Sequence, residues 1–189
     1  MLPQPLHLPA MQVPPAGPPG GQLPISATQP EGEPVRLDPV RGRLAADLRA
    51  RLPLADDDPE LGEALDRWEL SLFQAEPFRS EQLRESLAAL LGGTDGLATA
   101  PLRAALLLGE APADRQALVA SLRELSGGGS GDPRASDALR RALVEVFVHG
   151  DRARLVGALG DALLGVRPRP PGYCARLAGS SPSGRIAAA

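Results

Sequence analysis

The sequence predicts an all-α protein: an irregular bundle of about seven short amphipathic helices set between two proline-rich ends. Three observations carry this. Residues 37–166 are rich in Leu, Ala, Arg and Glu, residue types that lose little side-chain freedom in a helix. Apolar residues within that stretch recur every three or four positions, the period of one helix face. Asp-Pro dipeptides open several of the periodic segments and glycines close them, as helix ends require.

The first helix is expected after Asp38-Pro39, carrying Val40, Leu44, Leu48 and Leu52. Aspartate accepts from the free N–H groups of a first turn, and proline there has no N–H to leave unpaired. The second follows Asp58-Pro59, with Leu61, Leu65, Trp68 and Leu72 as its stripe and Phe73 beside it. The acidic run ADDDPE before it reads as a cap whose charge complements the helix dipole. A third helix from Ser80 carries Leu83, Leu87, Leu90 and Leu91 and stops at Gly92-Gly93. A fourth starts at Thr99 or Pro101, carries Leu102, Leu106 and Leu107, and ends at Gly109. The fifth begins near Pro112 and presents Leu118, Leu122 and Leu125 before Gly127. The sixth follows Asp132-Pro133 with Leu139, Leu143, Val146 and Phe147, and His149 at its end is expected to cap it. The seventh follows Asp151, with Leu155, Leu159 and Leu163, and ends at Gly165.

Eleven of the 21 prolines fall in residues 1–39. Proline removes backbone donors and biases the preceding residue away from helix. Residues 1–36 and 167–189 therefore read as disordered tails around a domain at 37–166, with 126–131 a flexible Gly/Ser loop inside it. Leu-rich segments starting at 83, 102, 118, 139 and 155 leave a short helical-repeat solenoid as the alternative. Large rings for a core are few: Trp68, Phe73, Phe78 and Phe147.

Composition excludes several chemistries. The chain contains no lysine, so GGGSG at 127–131 is no Walker-type phosphate loop. One cysteine, Cys174, and two histidines, His7 and His149, do not make a zinc site or a Cys–His pair. The carboxylates lie on polar helix faces, and many have an arginine one turn away, as Glu81 with Arg84, Asp137 with Arg140 and Asp151 with Arg154. No catalytic residue, metal site or cofactor is expected. A net charge of −3 argues against general nucleic-acid binding, and no apolar run approaches membrane-spanning length.

These exclusions leave a non-catalytic adaptor or scaffold, cytoplasmic, that binds proteins or itself. Tryptophan is enriched at interface hot spots, so Leu65, Trp68 and Leu72 are the first candidates for a partner face. PPGY at 170–173 resembles the PPxY ligand of WW domains. That resemblance implies that Pro170, Pro171 and Tyr173 would contact such a partner, using a preformed extended helix. Two further readings stand beside this one: an exported effector or secretion regulator with residues 1–36 as export segment, and a small transcriptional regulator reading DNA with Arg134, Arg140 and Arg141.

Overall fold

Every long helix opens on a proline, an aspartate or both, but the contacts that cap the first turn differ from helix to helix. A computed structural model of the chain describes residues 38–129 and 133–172. Its helices are α1 (Pro39–Arg51), α2 (Leu54–Asp57), α3 (Pro59–Ser71), α4 (Phe78–Leu91), α5 (Ala100–Leu108), α6 (Pro112–Ser126), α7 (Pro133–His149) and α8 (Arg152–Leu163). A 3₁₀ segment, Gly93–Ala98, joins α4 to α5. No strand occurs among the described residues.

Asp38 accepts from the Arg41 N–H at 2.8 Å, and Asp151 accepts from the Arg154 N–H at 2.9 Å. The expected ion pair between Asp151 and Arg154 is thus a backbone cap. ADDDPE is not one cap. Leu54–Asp57 winds into a single turn of its own, and only Asp58 turns back on α3, accepting from Glu60 and Leu61 N–H. That turn is why the described residues hold eight helices, one more than the periodicity predicts. At α4 the helix starts at Phe78, ahead of Ser80, because the Glu76 carboxylate takes the Ser80 N–H and hydroxyl. Asp132 and the side chain of Val40 lie outside the described residues.

Helices α4 and α7 form the centre. Leu83, Leu87, Leu90 and Leu91 of α4 are fully buried, the i, i+4, i+7, i+8 set of one helix face. On α7 the buried set is Ala135, Ala138, Leu139, Ala142, Leu143, Val146 and Phe147. Helix α7 touches α1, α3, α4, α5, α6 and α8. Stacked repeats contact only their neighbours, so the chain folds as an irregular bundle and the solenoid alternative finds no support.

The tightest pair is α3 with α4. Ala64 is completely buried, and the buried Ser86 hydroxyl donates to its carbonyl at 2.6 Å. Two small residues at the crossing let the backbones close up. Arg67 ties the same helices at the surface through Gln82, and its hydrogen bond to Glu63 within α3 raises its pKa above the ordinary arginine value. Ala64→Leu is expected to cost about 1–3 kcal/mol by overpacking this crossing, measured as a lower urea midpoint.

The aromatic anchors divide. Phe147 is buried and Trp68 packs half-buried against the core. Phe73 and Phe78 do not join it, being 48 % and 62 % exposed. The reason is position: Phe73 comes after the end of α3 and Phe78 opens α4, so both stand outside the layer that the leucines already fill.

Candidate functional site

A helix leaves its last carbonyls without intrahelical partners. At the surface water takes them, but α4 ends among fully buried leucines. The donors there must come from the protein. They come from two arginines that sequence periodicity places on apolar stripes. Arg103 falls one turn before Leu107 and one after Ala100 on the buried side of α5, and Arg152 precedes Leu155, Val156 and Leu159 on α8.

Arg152 Nη1 donates to the carbonyls of Ala89 at 3.1 Å and Leu90 at 3.4 Å. Its Nε meets Asp58 Oδ2 at 3.0 Å, and Nη2 pairs with Glu60. Arg103 Nη1 donates to the carbonyls of Leu91 at 3.0 Å and of Gly92, and to Thr99 Oγ1 at 2.8 Å. Its Nη2 reaches Asp95 at 3.0 Å. The two side chains are only 4 % and 8 % exposed. Four successive carbonyls, 89 to 92, are thereby capped by two positive charges at the negative end of the helix dipole. A guanidinium suits this place because its planar fork serves several acceptors at once, which a lysine ammonium does not.

The chain lets Gly93 turn out of α4 at φ +56°, and a Cβ there would meet Val156 Cγ1 at 3.1 Å and Arg103 Nη1 at 3.3 Å. Gly93→Ala is expected to lower stability by about 1–3 kcal/mol through the left-handed backbone, with a shift of Arg103 visible as faster amide exchange at the end of α4.

Arginine caps recur elsewhere. Arg51 Nη1 donates to the carbonyls of Phe147 and Val148, both at 3.1 Å. That is the capping task expected of His149, whose Nδ1 instead donates to the Asp151 carbonyl at 3.0 Å. Arg169 Nη1 donates to the Gly109 carbonyl at 2.6 Å, which holds the segment after α8 against the end of α5.

Two of the surface grooves involve these arginines. One, of about 800 Å³, has the Arg103 and Arg152 network as its floor and Leu102, Val156, Leu163 and Leu164 among its walls. The other, of about 720 Å³, lies between α5, α6 and α7, with Arg134, Arg141 and Arg169 facing Asp114, Asp137 and Glu145. Neither is lined by a cysteine or a histidine that could serve as nucleophile or base. Arginine does not deprotonate in proteins, and the carboxylates of the first groove's floor are engaged with guanidiniums. Among the described residues no three His, Cys, Asp or Glu side chains gather to hold a metal. No helix among them is long and apolar enough to cross a membrane. On α7, Arg140 is paired with Asp137 at 2.6 Å, which neutralises part of the helix considered for DNA.

The predicted partner residues separate. Leu65 and Trp68 turn onto the core, and Leu72 is half-buried at the end of α3. Pro170 is half-buried and Pro171 exposed, while Tyr173 lies outside the described residues. Among the described residues the large apolar side chains left to solvent are their neighbours, Leu70, Phe73 and Phe78, a second group at Leu163, Leu164 and Val166, and Leu52 just after α1. Leu52 and Leu163 fall on predicted stripes and Phe73 beside one, yet all three stand exposed at helix ends, while Leu70, Phe78, Leu164 and Val166 fall on no predicted stripe. Comparison of the chain with protein-family models, characterised proteins and solved structures returns no match.

Proposed function

We propose that the protein is a non-catalytic protein-interaction module, an adaptor or scaffold of the cytoplasm, that docks a partner on the α3–α4 turn. The observation that supports this reading is the exposure of Leu70, Phe73 and Phe78 around one turn. Exposed apolar side chains close together mark interaction surfaces, and aromatic side chains are enriched at the centres of interfaces.

The test is a double variant, Phe73→Ser/Phe78→Ser. Both side chains are exposed, so the thermal midpoint is expected to stay within about 2 °C of wild type, since surface changes usually cost under 0.5 kcal/mol. Tagged wild-type protein purified from its own cells should bring down one stoichiometric partner that the variant loses. Retention of that partner by the folded variant would move the interface away from this turn.

A further inference from the structure

A different surface points to a different occupant. Among the described residues helix α8 leaves one face uncovered, along the 800 Å³ groove. Ala153 and Gly157 are exposed there, Gly160 is half-exposed, and Leu164 is 80 % exposed with Val166 beyond it at 68 %. At 100° per residue Ala153, Gly157, Gly160 and Leu164 form one stripe, and Val166 follows after the helix has ended. A Cβ at Gly157 would meet nothing within 4 Å, so the centre of the stripe is an open hollow.

The charges beside the stripe select the occupant. Arg154 and Asp161 stand on the same flank of the helix, equidistant from a point next to Gly157. The Arg154 guanidinium forms no hydrogen bond or ion pair among the described residues, and Asp151 accepts its backbone N–H. Asp161 is 42 % exposed, with only the exposed Arg167 near it at 3.5 Å. Two such helices laid antiparallel about a two-fold axis bring Arg154 of each against Asp161 of the other, and Gly157 against Gly157. In a two-fold interface the same patch must complement itself, and the placing of Arg154 and Asp161 does so in charge.

We propose that the chain self-associates through α8, as an antiparallel pair of helices from two copies crossing at Gly157. The glycines let the backbones approach, and Leu164 of each copy covers the N-terminal half of the other's helix, around Ala153. A twelve-residue helix spans about 18 Å, so the pair covers less than the roughly 800 Å² per partner of a standard interface. The association is therefore weak, with a dissociation constant in the micromolar range or above. This surface is separate from the α3–α4 turn, so either inference stands without the other.

Sedimentation velocity of the full chain across about 5–500 μM tests it. Wild type is expected to shift from monomer to dimer over that range. Gly157→Leu should remain monomeric throughout, with its circular dichroism and thermal midpoint unimpaired, since the position is open. Arg154→Glu should raise the dissociation constant roughly ten- to thirty-fold, from two like-charge contacts, and Arg154→Glu/Asp161→Arg should restore it. A wild-type chain monomeric to about 500 μM overturns the proposal. So does a dimer that folded Gly157→Leu leaves intact, or one that the charge reversal fails to rescue. Because Phe73→Ser/Phe78→Ser leaves α8 untouched, that variant should dimerise like wild type, and its dimer loss would place self-association on the other surface.

Discussion

Arg152→Leu is expected to lose about 3–4 kcal/mol of folding stability, chiefly from carbonyls left without donors and from the broken ion pair. Against a total of roughly 5–15 kcal/mol for a domain of this size, that is enough to shift the denaturation midpoint severely. The size comes from what remains after the guanidinium leaves. Glu60 is exposed and turns to water, and Asp58 is partly exposed and keeps its cap on α3. Neither carboxylate is stranded. The carbonyls of Ala89 and Leu90 are, because they belong to the backbone of a buried helix end and no side-chain change can remove them. An apolar replacement of matching volume, which often rescues a buried ion pair, therefore does not rescue this one. Arg152→Lys should recover less than half, since one ammonium can face the carbonyls or Asp58 but lacks the fork to serve both. Urea denaturation followed by circular dichroism reads all of these. A loss from Asp58→Asn equal to that from Arg152→Leu would show that the cost does not lie in the carbonyls.

Trp68→Ala is expected to cost about 3 kcal/mol, the lower end for removing a large ring from a core, because Trp68 is half-buried. Trp68→Phe should stay within about 1 kcal/mol of wild type, and the reason is a balance of two terms. The Trp68 Nε1–H is buried with no hydrogen-bond partner among the described residues, so phenylalanine removes a standing penalty while giving up part of the packing. Thermal unfolding distinguishes this from a role at an interface. There, Trp68→Ala would keep its midpoint and lose its partner.

The leucine faces of α4 and α7 were legible because burial against a helix leaves a period in the sequence. The caps at Asp38 and Asp58 were legible because they are local, acting within the next few residues, whereas Asp151 read as half of an ion pair with Arg154 and caps its backbone instead. The closing of α4 was not legible. Asp58 and Arg152 stand 94 positions apart, and nothing local distinguishes Arg152 from a surface arginine. A signal existed all the same: Arg103 and Arg152 each occupy a position that the apolar period assigns to the core. A charge on a buried stripe demands a partner, and here the partner is a helix end. The proposed partner face lies one turn away from the predicted residues for a related reason. The period that picks out Leu65 and Trp68 marks residues that face the core, so the side chains free to meet a partner are those at the helix ends that break it.

The most direct test of an interaction role is site-specific photo-crosslinking in the protein's own cells. A photoreactive phenylalanine analogue replaces Phe78, 62 % exposed at the start of α4, and a second chain carries it at Arg49, exposed on α1. Docking on the α3–α4 turn predicts one discrete crosslinked partner from position 78 and none from position 49. No adduct from position 78, or the same adduct from both positions, would refute it.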